Sequence, residues 1–251
     1  MLPQEHISVS QINMYQRCPA SYYYRYVRGM IIPPKAAMTR GTAVHSGIEF
    51  NYTQKMETKK DLPLEEVKEY TAAVFEEKAE ETNFEGEDKG KVKDSTISLA
   101  GLYHEEVAPT VQPEAVEEKV EVAFEGTDYT LLGYIDLIDH KKRIRDTKTT
   151  GRTPSESVIQ DNLQLAAYSL MYQTITGEEE SGVGLDYLVD TKNPKVVQFE
   201  AKVTEAERQR FLKIMDAVAK AIEAEHFYPN YNNFMCSQKN CGYWDICHKE
   251  W

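Results

Sequence analysis

The stretch LLGYIDLIDHKKRIRDTKTTG, residues 131 to 151, constrains this chain more tightly than any other part of it. Apolar residues flank His140, Lys141 and Lys142, so a hairpin of two strands is expected at about 131–139 and 143–149. If the strands pair around those three residues, partner numbers sum to 282 and Asp136 faces Asp146. Directly opposed side chains in an antiparallel pair have Cβ atoms roughly 4.5–5.5 Å apart, so two carboxylates there repel unless a cation lies between them. Burying them without one is expensive. Side chains alternate along a strand, which puts Lys148 on the face of Asp146 and points Thr147 away. One face then offers two hard oxygen ligands and an ammonium, a set suited to a divalent ion. The competing reading is a pair of surface aspartates neutralised by the basic cluster.

The hydrophobic period changes along the chain. Residues 8–28 follow helical spacing and are interrupted by Pro19, giving two helical pieces with Cys18 at the break. Another helix starts within 40–50, where His45 and Glu49 share a face at i, i+4. Charged helices are expected at 63–82 and 91–108, and from 116 to 148 the period falls to two over three strands. Helical spacing returns over 157–176, ending at Gly177, with Gln164 and Tyr168 on one face. Strands at about 183–190 and 195–201 follow, joined at Asn193-Pro194, and Thr204 caps a helix running to about 225. The result is an α/β domain with a mixed central sheet of about five strands flanked by helices.

The net charge of -12 argues against a nucleic-acid partner only on average. Residues 57–90 hold twelve Asp or Glu against five Lys, whereas residues 141–152 hold six Lys or Arg against Asp146 alone. The charge is segregated, and a local anion-binding face is compatible with it. No apolar run approaches the roughly 20 residues that span a bilayer, and the N-terminus lacks the pattern of a secretory leader, so a cytoplasmic location is expected. The four cysteines, Cys18 near the start and Cys236, Cys241 and Cys247 at the end, suit a metal site better than disulfides in that compartment. Zinc, held by the four cysteines or with His248 in place of Cys18, is one such site.

Gly41-x-x-x-His45, Gly133-x-x-Asp136, Asp146-x-Lys148 and Gln164-x-x-x-Tyr168 follow in an order that resembles the PD-(D/E)XK nuclease superfamily, more closely its RecB-like branch with the AddB and CRISPR-adaptation nucleases. The opening SVSQINMYQRCPASYYYRYVRG resembles that branch too, and the match covers roughly 7–50, 130–172 and 234–249. The resemblance implies a restriction-endonuclease-like core spanning 1–251 as a single domain, with an acidic helical insertion at 55–110 and a cysteine segment at 234–251 joined to the first helix through Cys18. It implies a Mg²⁺- or Mn²⁺-dependent deoxyribonuclease, an exonuclease preferring single strands, in which His45, Asp136, Asp146 and the Thr147 carbonyl hold the metal. Lys148, Gln164 and Tyr168 would complete the catalytic set, and Gly41 would let backbone or DNA come close. Cys18, Cys236, Cys241 and Cys247 would hold a [4Fe-4S] cluster, although Cys-x4-Cys-x5-Cys departs from the family's commoner x2-then-x5 spacing. Arg25, Arg28, Arg40, Lys141, Lys142 and Arg152 would contact DNA, and Tyr22, Tyr23, Tyr24 and Tyr26 suit base stacking. The partners implied are single-stranded DNA ends and a helicase, recombination or CRISPR-adaptation machine. A non-catalytic DNA- or helicase-binding module on the same scaffold is the alternative.

Overall fold

The computed structural model describes residues 2–125, 127 and 129–251. Its elements are β1 (His6–Ser8), α1 (Val9–Arg17), α2 (Pro19–Tyr22) continuing as a π-helical turn (Tyr23–Val27), α3 (Ala36–Thr58), α4 (Leu64–Ala79), α5 (Lys89–Glu106), β2 (Pro113–Ala123), β3 (Thr130–Asp139), β4 (Arg143–Thr150), α6 (Leu163–Thr176), β5 (Gly182–Val189), β6 (Lys195–Ala201), α7 (Glu205–Glu223) and α8 (Trp244–Glu250). Six strands form one mixed sheet in the order β1-β3-β4-β5-β6, with β2 also paired to β3. The five expected strands are present, and the sixth, β1, has three residues, too few for an alternating pattern to register.

The hairpin register is the expected one. Leu137 pairs with Arg145 and Ile138 with Ile144, so partner numbers sum to 282 as expected, and the pairing ends one residue short of Asp136 and Asp146. Strand β5 runs parallel to β4 and antiparallel to β6.

Contacts divide the chain into two compact units, one of Met1–Ile32, Lys119–Gly133 and Thr204–Trp251, the other of Pro33–Glu118 and Tyr134–Val203. In the first unit the Ser8 hydroxyl caps α1, and the chain turns at Cys18 so that Pro19, which has no N–H to lose, opens α2. Tyr22 and Tyr24 are fully buried, Tyr22 stacked on Phe227 and Tyr24 on Tyr243. These two rings fill a core and cannot stack on bases, because helical spacing alone does not separate a packing tyrosine from a binding one. Thr204 and Glu207 form a reciprocal capping box that starts α7.

In the second unit α3 packs on α4 and α5, and Val44, Tyr52, Leu99, Tyr103, Leu137 and Leu188 join helices to sheet in one apolar cluster. Each such side chain stabilises the fold by about 1.5–3 kcal/mol when fully buried. Gly47 permits the close approach of α4, since a Cβ there would lie 2.1 Å from Thr71 Oγ1. At Gly41 the same atom would meet Thr149 Oγ1 at an ordinary 3.5 Å, so helix packing does not demand glycine at that position. Among the described residues no helix is long and apolar enough to cross a membrane.

Candidate metal centre and active site

Helix α3 and strands β2, β3 and β4 bring a cluster of acids and one imidazole together within the second unit. Among the described residues, His45, Glu117 and Asp136 are the group whose ligand atoms all lie within 4.8 Å of one another. His45 Nδ1 is 3.3 Å from Asp136 Oδ2, and that oxygen also accepts the Thr147 backbone N–H at 3.1 Å. Glu117 is a residue that the sequence reading did not single out. It sits inside β2 with φ at 48°, a left-handed conformation that costs a non-glycine residue about 1–3 kcal/mol and re-aims its side chain.

Asp146 stands beside this group and is fully buried. Its Oδ1 accepts from Lys148 Nζ and from Gln164 Nε2, both at 2.9 Å. Its Oδ2 lies 2.8 Å from the same ammonium but outside hydrogen-bonding geometry, leaving a buried carboxylate oxygen without a donor. The ammonium offsets its charge, but its hydrogen-bonding capacity stays open.

Helix α6 begins where it does because the Asn162 side chain caps the Gln164 and Leu165 N–H groups. Gln164 and Tyr168 then face the site one turn apart. Gln164 Oε1 accepts from Lys148 at 2.9 Å, while Nε2 also donates to the Tyr168 hydroxyl at 2.8 Å. With its oxygen already accepting, Tyr168 keeps its own O–H for a further acceptor. Burial, then the charges of Asp136 and Asp146, push its pKa up, so that proton stays in place.

The electrostatics are those of a cation site. Burial, followed by the nearby charges of Asp136, Glu49 and Asp146, raises Glu117 to about 7. Asp136 is raised by burial, and Asp146 by burial and then by Asp136. Burial opposes the Lys148 ammonium, but Asp146 outweighs it and its pKa is raised. Burial lowers the pKa of His45, which favours the neutral imidazole that ligates metals. Three carboxylates share one lysine, and a divalent ion would resolve the excess. Oxygen donors with one imidazole suit Mg²⁺ or Mn²⁺, the imidazole favouring the latter.

The basic turn does not neutralise the aspartate pair. Lys142 pairs with Glu114, Arg143 with Asp139 and Glu200, and buried Arg145 with Asp186 at 2.7 Å. Lys141 and Arg152 are exposed. Arg40 pairs with Asp190, Arg28 with Glu250, and Arg25 packs over Tyr26.

In the first unit Cys18, Cys236, Cys241 and Cys247 are free thiols that line one cavity of about 110 Å³. Its size exceeds the ~30 Å³ share of a single water. The Asn230 N–H points at Cys18 Sγ at 3.5 Å, and burial and neighbouring thiols raise the pKa of Cys236 and Cys247. Four convergent sulfurs, one already accepting a backbone N–H, are a donor set that fits a thiolate-bound metal group.

A family model for the PD-(D/E)XK nuclease superfamily matches residues 6–248. The chain is similar to the Gene 69 protein of Mycobacterium phage D29, with 28% identity over 88% of this chain and 89% of the relative. It also resembles the crystal structure of a protein from Eubacterium rectale provisionally called an exonuclease, with a TM-score of 0.63 and 14% identity, covering 98% of this chain and 88% of the other.

Proposed function

The chain belongs to the PD-(D/E)XK nuclease superfamily, and from that premise we propose that it is a metal-dependent deoxyribonuclease, an exonuclease acting on single-stranded ends. The observation that carries this reading is the grouping of His45, Glu117 and Asp136 beside a buried, incompletely satisfied Asp146 and its lysine.

His45, Glu117, Asp136 and Asp146 would hold Mg²⁺ or Mn²⁺, with the Thr147 carbonyl as a further oxygen. A divalent ion bound there would supply polarisation of the scissile phosphodiester and acidify the attacking water. Lys148 orients that water and offsets negative charge that grows on the phosphate oxygens in the transition state. Gln164 fixes Lys148 and Asp146 relative to each other, and Tyr168 offers its O–H to a phosphate oxygen. The acidic stretch 57–90, which includes α4, would repel the dense phosphates of a duplex more than those of one strand.

Cys18, Cys236, Cys241 and Cys247 would bind a [4Fe-4S] cluster that fastens the chain ends of the first unit. A mononuclear zinc site draws four sulfurs to about 3.8 Å of one another at a Zn–S distance of about 2.3 Å.

The alternative, a binding module without activity, has no use for the Asp146–Lys148–Gln164 arrangement. The test is cleavage of end-labelled single- and double-stranded DNA with Mg²⁺ or Mn²⁺. Wild type is expected to degrade single strands faster, and Asp146→Ala to be inactive. Cleavage that persists in the variant contradicts the mechanism, and an inactive wild type favours the binding module.

A further inference from the structure

We propose that the loop carrying Tyr228, Tyr231 and Phe234, in the first unit, is a stacking platform for unpaired bases of single-stranded DNA. The inference rests on the nuclease reading only for the identity of the polyanion.

Three aromatic residues recur every third position in YPNYNNF, and all are exposed, at 57%, 53% and 84%. Isolated exposed apolar residues need no explanation, but three on one short loop do. The loop is held from beneath. The Tyr228 carbonyl accepts the Ala20 N–H at 3.0 Å, and the Asn230 and Asn233 side-chain amides both donate to the Arg17 carbonyl, at 3.0 and 3.3 Å. The Asn230 backbone is fixed on Cys18, and the Tyr231 ring meets His248 edge-on at 5.6 Å. The anchoring groups are therefore the backbone and the asparagines, and the rings between them are left outside. Rings presented on a fixed backbone lose little freedom on binding, the property that makes aromatic anchors effective.

Charge selects the partner. The chain carries 41 Asp or Glu in 251 residues, about one in six, yet residues 6–32 and 226–244 contain none. Those two segments, which the contacts above join, carry Arg17, Arg25, Arg28 and Lys239. Arg28 is matched by Glu250. Arg17, whose carbonyl anchors the loop, is exposed beside it. Two segments without acids on an acidic chain, with Arg17 exposed beside the rings, favour a polyanion, and adjacent rings favour one whose bases are not already stacked in a duplex.

The test is fluorescence anisotropy of a labelled 15-nucleotide oligothymidylate with the as-purified full chain, in EDTA so that turnover plays no part. Tyr231→Ala/Phe234→Ala is expected to weaken binding at least tenfold, while Tyr231→Phe/Phe234→Tyr binds within twofold of wild type. Phe234→Ser, at a position 84% exposed and free of a packing role, guards against misfolding and is expected to weaken binding at least threefold. Undiminished binding in the Ala and Ser variants overturns the proposal. So does DNA binding left intact while the substitutions abolish self-association in sedimentation, which would give the rings to a second copy of the chain. A wild type that binds through the loop yet cleaves nothing with Mn²⁺ supports the platform while striking the nuclease reading.

Discussion

Glu117 and Asp136, on different strands, place carboxylate oxygens within 4.8 Å of each other and of a His45 nitrogen. Two anions at that separation, both with raised pKa values, are stable only as a protonated pair or around a cation. Glu117→Gln keeps the shape and removes one charge. It is expected to lower Mn²⁺ affinity by about 10- to 100-fold in calorimetric titration, and to leave the metal-free thermal midpoint unchanged or higher. Unchanged affinity would remove Glu117 from the ligand set.

The same crowding fixes a pH dependence. A carboxyl whose folded pKa lies above its unfolded value of roughly 4 stabilises the fold while protonated, and that stability is lost as pH rises through the folded pKa. Glu117, at about 7, and the raised Asp136 and Asp146 all act in this direction. His45, lowered by burial, acts oppositely, adding stability as pH rises toward its ordinary value, but it is one group against three. The thermal midpoint of chelator-treated protein is expected to fall between pH 5 and about pH 7.5. Saturating Mn²⁺ should abolish the fall, and a flat or rising metal-free profile would contradict the assignment.

Lys148 touches Asp146 and Gln164 and, as an ammonium, is not itself a ligand. Lys148→Met preserves its apolar stem, so the expected result is a loss of about 10³-fold in cleavage rate with Mn²⁺ affinity retained or increased. Measuring rate and affinity on one preparation separates this from a folding defect. A rate within tenfold of wild type would deny Lys148 its role.

Arg145 and Asp186 form a buried ion pair on the other face of β4, with Gln198 adding a hydrogen bond to Asp186 at 2.8 Å. Asp186→Ala leaves the buried guanidinium with only Glu200, at 3.8 Å and on an exposed side chain, and should lower unfolding free energy by about 3–5 kcal/mol in urea titration. Arg145→Met/Asp186→Leu should lose much less.

The cysteine cavity gives a spectroscopic expectation. As-purified protein should contain about four irons per chain and absorb broadly near 400 nm, and Cys241→Ala should lose both. Zinc in stoichiometric amount with no such absorbance would replace the cluster by the mononuclear site.

The hairpin was legible in the sequence because two local rules agree: apolar alternation marks the strands and the turn length sets the register that pairs Leu137 with Arg145. Gln164 and Tyr168 were legible because helix spacing puts i and i+4 on one face, and the Asn162 cap fixes which face that is. Glu117 was not. It lies in the run Glu117, Glu118, Lys119, and a backbone reversal of φ within β2 decides which acid turns inward. No spacing rule reports that reversal. The fate of the basic turn was hidden for another reason, since its partners Glu114, Asp186 and Glu200 are brought in by separate strands. The buried pair Tyr22 and Tyr24 shows the same limit, because their packing partners Phe227 and Tyr243 lie some 200 residues away.

Anomalous scattering from a crystal soaked in MnCl₂ addresses the metal centre most directly. A peak bounded by His45, Glu117 and Asp136, with Asp146 turned toward it and the peak absent from Asp136→Asn crystals, is the expected result. Manganese bound elsewhere on the chain while these side chains stay as they are would contradict the account.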